Sequence, residues 1–143
     1  MKQDNKKEPI SKTLVVYFGE PEEGVERVGK KLVMSYGLVQ TLAGFFRDLD
    51  QVGNLSLDYT LQTQLLNEVL DDRDEKGNRK NPDKNFAYDL SLDEGKRVNE
   101  WVGAHISDFF LSGLQKQVEA IEELSQVIGK LKETEKVLES KQQ

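Results

Sequence analysis

Two stretches of this chain carry residue types whose spacing could do chemistry, and the first is a glycine-rich segment. Gly24-Val-Glu-Arg-Val-Gly29-Lys30 has most of a Walker A loop, in which backbone amides and the lysine would cradle phosphates. The position that needs a serine or threonine for magnesium is Lys31, and the residues that follow resemble a strand rather than a helix. The spacing therefore favours a turn between two strands over a nucleotide site.

The second stretch is an acidic loop with part of the pattern of an EF-hand. Asp72, Asp74 and Gly77 match positions 1, 3 and 6 of that calcium loop, whereas positions 5 and 12 are Lys76 and Asp83. Calcium requires an oxygen ligand at position 5 and a bidentate glutamate at position 12. A lysine opposes the ion directly, so the pattern predicts a salt-bridged surface loop.

The one histidine, His105, lies four residues after Trp101 and four before Phe109. A single imidazole cannot build a multi-histidine metal site, and no second residue has the spacing of a catalytic partner, so we expect a partly buried helix histidine. The chain contains no cysteine, which removes thiol catalysis, disulfides and most structural zinc sites. We expect no enzymatic activity, no cofactor and no metal.

Composition limits the classes of partner. The 143 residues suit one domain, and 36% hydrophobic against 32% charged residues predicts a small core with solvated extensions. The 20 basic and 26 acidic residues give a net charge of −6, which argues against nonspecific nucleic-acid binding. No apolar run approaches the roughly 18 residues of a membrane span, and the N-terminus is polar. We therefore expect a soluble, cytoplasmic protein that binds neither nucleic acid nor membrane.

The apolar pattern predicts an α+β fold, in which a small N-terminal β-hairpin packs on about three helices and the last helix is long and amphipathic. Residues 1–12 are expected to be a disordered arm, and the β-branched runs predict strands at Thr13–Phe18 and Lys31–Met34. Phe86–Leu90 alternates apolar and other residues, which suggests a short extended segment.

Helix signals complete the prediction. Ser35 and Asp58 are N-caps for helices over residues 35–49 and Tyr59–Leu70, and Ser91 with Glu94 fits a capping box for a helix over residues 91–138. After Leu114 the apolar pattern narrows between charged flanks. We therefore predict a globular domain over residues 13–114 and an extended helix over residues 115–143, which either belongs to the same domain or docks onto a partner.

Two double-phenylalanine sites are the best residue-level indication of an interaction surface. Adjacent helix residues are about 100° apart, so each pair widens an apolar face and offers one ring to a partner. The candidate protein-binding residues are Leu38, Leu42, Phe45, Phe109 and Phe110. Each of them also fits a plain core position, which is the commoner role of such residues.

The order of elements resembles a known family. A strand ending in Lys31-Leu-Val-Met-Ser-Tyr-Gly37 runs straight into Leu38-Val-Gln-Thr-Leu42-Ala-Gly-Phe-Phe, and a Leu-rich helix, a charged loop and a Trp/Phe-Phe helix follow. Over residues 13–114 this resembles the tail assembly chaperones of long-tailed bacteriophages. The resemblance implies binding to the hydrophobic tape measure protein in the host cytoplasm while tail tube subunits assemble.

The resemblance implies no catalytic residue, and the tape measure protein is the expected partner, with the tail tube protein as a further one. We also expect a homo-oligomer. Two other classes remain open. The chain fits a structural virion protein, such as a head-tail connector or tail-completion subunit, and it also fits a bacterial adaptor that dimerises through its C-terminal helix.

Overall fold

The computed structural model describes residues 9–141 and has the α+β fold that the sequence predicts. Two antiparallel strands, β1 (Thr13–Tyr17) and β2 (Gly29–Val33), form a hairpin in which Val15 lies opposite Lys31. Four α-helices follow, and their bounds are α1 Tyr36–Ala43, α2 Leu49–Gly53, α3 Tyr59–Leu70 and α4 Leu92–Lys141. Short 3₁₀ helices span Leu55–Leu57 and Phe86–Asp89.

The chain separates into two compact units, and the boundary between Phe109 and Phe110 falls inside α4. The sequence placed the change of character a few residues later, after Leu114. The first unit contains the core, whose buried apolar side chains come from both strands and the residue after β2, from α1, α3 and the start of α4, and from one 3₁₀ helix. They are Val16, Leu32, Met34, Val39, Leu42, Leu61, Leu65, Leu66, Val69, Leu70, Phe86, Val98, Trp101, Val102 and Ile106.

One face of α4 holds the outer edge of β1. The Glu94 carboxylate accepts a hydrogen bond of 3.2 Å from the Tyr17 N–H, and Arg97, which binds both carboxylate oxygens at 2.7 and 2.8 Å, also donates to the Val15 carbonyl. These bonds take the place of a third strand. A two-stranded sheet has two open edges and is marginal alone, so this ion pair completes the sheet on the β1 side.

The same face of α4 continues to the residues just before β1. Trp101 Nε1 and His105 Nε2 both donate to the Ser11 carbonyl, at 2.7 and 2.8 Å, and the two rings meet edge to face at 5.2 Å. Ser11 therefore belongs to the packed part of the chain, although the sequence assigned it to a disordered arm. Residues 1–8 of that predicted arm lie outside the described residues. His105 is half-buried, as predicted.

The predicted capping box at the start of α4 is only half formed. The Glu94 N–H donates to Ser91 Oγ at 3.3 Å, as expected. The Glu94 carboxylate does not return to the Ser91 backbone, because it binds Tyr17 and Arg97 instead. A tertiary contact with a strand edge thus outcompetes a local capping contact.

The predicted helix over residues 35–49 is too long, because α1 ends at Ala43 and a separate helix, α2, begins only at Leu49. Ser35 caps α1 as expected, since its Oγ accepts from the Leu38 N–H at 3.1 Å. α1 ends at Ala43, and Asp48 starts a new helix because its carboxylate accepts from the Gln51 N–H at 2.9 Å. Gly44, with its low helix propensity, and this second N-cap together explain the division.

Other boundaries differ by small amounts or in type. The two strands lie within two residues of their predicted ends, and α3 has the predicted bounds Tyr59–Leu70. The segment predicted to be extended, Phe86–Leu90, is a 3₁₀ helix over Phe86–Asp89, because the Asn85 side-chain oxygen caps the Ala87 N–H at 3.0 Å. The long predicted helix runs through Gly113 to Lys141.

Glu94 links the stability of the fold to pH. Burial would raise the pKa of Glu94, but the hydrogen bonds from Tyr17 and Arg97 and the charge of Arg97 outweigh it and hold the pKa below the ordinary value of 4.5. A carboxyl whose pKa is lowered on folding stabilises the fold above its unfolded pKa, and this contribution is lost as the pH falls through the folded value.

We therefore expect Glu94→Gln to lower the free energy of unfolding at pH 7 by about 2 kcal/mol, the scale of a hydrogen bond to a charged group. The difference between this variant and the wild type should shrink as the pH falls below about 4.5, because the wild-type carboxyl then becomes protonated. Urea unfolding at a series of pH values measures it. Asp93→Asn, on the exposed neighbour, is the control, and a pH-independent difference would contradict the assignment.

Candidate protein-binding surface

The lysine of the Walker-like segment is engaged in the fold. Lys30 lies in β2, and its Nζ donates to the Leu70 carbonyl at 2.6 Å and to Asp72 at 2.8 Å. This hydrogen bond and the positive charge of Lys30 lower the pKa of Asp72. An ammonium at the C-terminal end of α3 complements the helix dipole. The segment is a hairpin connection, as the sequence predicts, and Gly24 supplies its turn with φ of +80°.

The acidic loop uses its carboxylates to organise its own backbone. Asp71 is buried, and it accepts hydrogen bonds from Arg79 Nε at 2.9 Å and from the backbone and side-chain N–H groups of Asn81 at 3.0 and 3.1 Å. Burial would raise the pKa of Asp71, but these bonds outweigh it and lower the pKa. Asp74 caps the turn by accepting from the Lys76 and Asn78 N–H groups. The predicted salt-bridged loop is confirmed.

No donor set for a metal ion occurs within residues 9–141, where no three His, Asp or Glu side chains are grouped suitably. A cavity of about 690 Å³ has two lysines on its wall, and each is paired with a neighbouring carboxylate. The pairs are Lys30 with Asp72, and Lys84 with Asp89 at 3.1 Å. The ionic groups of this cavity are thus partnered within the fold.

Two smaller cavities also lie in the first unit. One of about 410 Å³ runs beside β2 and is lined by Val33, Leu38 and Val69 together with polar side chains. The other, about 380 Å³, lies between the 3₁₀ helix at Leu55–Leu57 and α4. Gln62 on its wall donates to the Leu55 carbonyl at 2.7 Å, so this polar group also serves the fold.

The five residues proposed from the sequence have different environments. Leu42 has 0% exposure and belongs to the core, so its side chain has no surface to offer a partner. Leu38, Phe45, Phe109 and Phe110 are half-buried. Phe109 packs edge to face on the exposed ring of Tyr36, with centroids 6.5 Å apart. Phe110 lies in the second unit. Four of the five thus retain partial access.

The most extensive apolar surface lies in the second unit, on the part of α4 that follows Phe110. Ile121, Leu124 and Leu131 are 62%, 58% and 64% exposed, and every residue from 115 to 141 is exposed. We call the apolar side chains that share this face the C-terminal stripe, and they are Leu114, Val118, Ile121, Leu124, Ile128, Leu131 and Leu138.

The C-terminal stripe is about 36 Å long, at 1.5 Å per helical residue. On a helix about 10 Å across it amounts to a few hundred Å², the size at which an exposed apolar patch marks an interaction site. The stripe contributes none of the five candidate binding residues predicted from the sequence. The signal that finds it is the three- and four-residue spacing of leucine and isoleucine in a segment that carries no aromatic residue.

Comparison of the chain with protein-family models, curated proteins and solved structures finds no match. Among the described residues, no helix combines the length and the apolar character of a membrane span. Function is therefore inferred from the chain's own surfaces, and the strongest of these is the C-terminal stripe.

Two glycines inside this helical segment allow its stability to be tested. A Cβ added at Gly113 or Gly129 would meet nothing within 4 Å beyond the helix's own backbone, so an alanine fits at either position. We expect Gly113→Ala with Gly129→Ala to stabilise the segment by about 1 kcal/mol per site. Hydrogen exchange of residues 110–141 should then show roughly five-fold greater protection per site.

Gly77→Ala is the matched control for this prediction. Gly77 has φ of +82°, a conformation in which a Cβ is strained, so the same substitution should destabilise the loop instead. Unchanged or weaker protection of residues 110–141 in the double variant would show that this segment is not a continuous helix in solution.

Proposed function

We propose that this chain is a tail assembly chaperone of a long-tailed bacteriophage. It binds apolar helical segments of the tape measure protein in the host cytoplasm and keeps them soluble while tail tube subunits assemble. The observation that carries the proposal is the exposed C-terminal stripe. A chaperone for an apolar helical client needs accessible apolar side chains at helical spacing, which can pack against the i, i+3 and i+4 positions of another helix.

The charge of the chain supports the same proposal. The net charge is −6, and glutamates and lysines flank the stripe. Complexes that carry net charge of the same sign repel one another in solution, which suits a protein that shields an aggregation-prone client. The ionic and polar side chains described above are engaged in the fold, so the apolar surface is the feature available to a partner.

The order of elements also supports it. β2 leads through Ser35 into α1, where Tyr36 and Gly37 form the first turn, and α3, the charged loop and α4 follow. These are the elements on which the resemblance to tail assembly chaperones rests. Leu38, Phe45 and Phe109 in the first unit are further candidate contacts, since each is half-buried and retains some access to a client.

Co-expression with an apolar fragment of the tape measure protein from the same phage genome tests the proposal. We expect the soluble fraction of the fragment to rise several-fold in the presence of the chain. The triple variant Ile121→Gln, Leu124→Gln, Ile128→Gln should lose this effect, because glutamine keeps the helix propensity but removes the apolar contact. Pelleting of the lysate followed by quantification of the fragment in both fractions measures the effect.

The matched control changes three residues on the opposite side of the same helix, Glu119→Gln, Gln126→Ala and Glu133→Gln, and should retain the effect. A fragment that is equally insoluble with and without the wild-type chain would refute the chaperone function. Recovery of the chain from purified virions as part of a closed ring would favour a structural role as a head-tail connector or tail-completion subunit instead.

A further inference from the structure

The spacing of the C-terminal stripe is the same in both directions along the helix. From Leu114 to Leu138 the positions on this face follow one another by 3, 4, 3, 4, 3, 4 and 3 residues, if the polar residues Gln117 and Glu135 are included. The midpoint is Gln126, which lies two residues from Leu124 and two from Ile128. The spacing is a heptad repeat in which Gln117 and Glu135 are the polar positions, and a heptad repeat sustained over three or more heptads is typical of a coiled coil.

A palindromic spacing makes the stripe complementary to itself when two copies run in opposite directions. With both midpoints at the same level, each position of this repeat meets a position of the same repeat in the second copy. The pairs formed in this way, each occurring twice, are Leu124 with Ile128, Ile121 with Leu131, Leu114 with Leu138, and Gln117 with Glu135.

Charge selects the antiparallel orientation over the parallel one. Glu135 lies on the same face as Ile128, Leu131 and Leu138, and it is the charged residue of that face. In an antiparallel pair each Glu135 meets Gln117 of the second copy, whose amide N–H can donate a hydrogen bond to the carboxylate. In a parallel, in-register pair the two Glu135 carboxylates would lie against each other within an apolar interface, where like charges repel strongly. Like charge at this position therefore disfavours the parallel alternative.

We propose that the C-terminal stripe is the interface of a homodimer in which two α4 segments pair antiparallel about a two-fold axis at the level of Gln126. Such an interface is isologous, because the same surface serves both copies. The inference does not rest on the proposed function, since self-association requires no client. If both hold, the second copy covers the stripe until a client helix displaces it.

The mass of the full chain in solution is the first test. One chain is 16.3 kDa, and light scattering coupled to size exclusion should give about twice this value. Leu124→Gln with Ile128→Gln should give the monomer mass, and Gln126→Ala should retain the dimer, because Gln126 lies on the far side of the helix. Circular dichroism and the thermal midpoint of the first unit check that the variants remain folded. A monomeric wild type would overturn the proposal.

Orientation is measured with single cysteines, which the chain allows because it has none of its own. A spin label at Ser140→Cys should lie about 42 Å from its copy, since Ser140 is level with Ser112 of the second chain, 28 residues away at about 1.5 Å each. A label at Ser125→Cys, next to the midpoint, should give a short distance in either orientation. A dimer with a Ser140→Cys distance below about 20 Å would be parallel and would overturn the proposal.

The two proposals fail independently. Mass and label distances are measured without any client, and the solubility of the tape measure fragment is measured by its own assay. A dimer that leaves the fragment insoluble retains the interface and removes the chaperone function. A monomeric chain that keeps the fragment soluble retains the chaperone function and removes the interface.

Discussion

The ion pair of Glu94 and Arg97 is the interaction on which the first unit depends. A hairpin of two five-residue strands cannot close its own edges or bury both of its faces. Glu94 accepts the Tyr17 N–H and Arg97 donates to the Val15 carbonyl, so the helix supplies what a third strand would have supplied. One turn and two turns further on, Trp101 and His105 hold the Ser11 carbonyl. β1 and the residues just before it are thus attached along one face of α4, at positions three and four residues apart.

This arrangement explains why the charged residues of the first unit offer little chemistry. A small core with many ionic side chains is stable only if those near it are paired, because an unpaired buried charge costs several kcal/mol. Lys30, Asp71 and Arg79 each satisfy backbone or side-chain partners that shape the end of α3 and the loop after it. Motifs that look like phosphate or calcium sites in the sequence are therefore parts of the scaffold.

The second unit differs from the first because most of its apolar side chains are exposed instead of packed in a core. Its helix has few intrinsic means of stability, because an isolated helix in water is marginal and most helical stability comes from tertiary packing of an apolar face. Residues 115–141 are exposed, and their leucines and isoleucines share one face. Burial of this face against any apolar partner of matching spacing is favourable, whether that partner is a client helix or a second copy. Competition between these two occupants would couple assembly of the dimer to delivery of the client.

Local signals in the sequence determined the elements with strong caps and clear periodicity. Asp58 and the leucines of α3 set its bounds, and the α+β fold followed from two β-branched runs and the helical stripes. Tertiary structure decided what local signals could not. Glu94 bound a strand edge rather than its own cap, Leu42 became core rather than contact surface, and Gly44 with Asp48 ended a helix that periodicity would have extended. For Glu94 and Leu42 the deciding contacts are distant in sequence. For α1 and α2, the N-cap at Asp48 outweighed the helical spacing of the apolar residues. The palindromic spacing of the C-terminal stripe was in the sequence from the start, but its exposure, which makes it a surface, is a property of the fold.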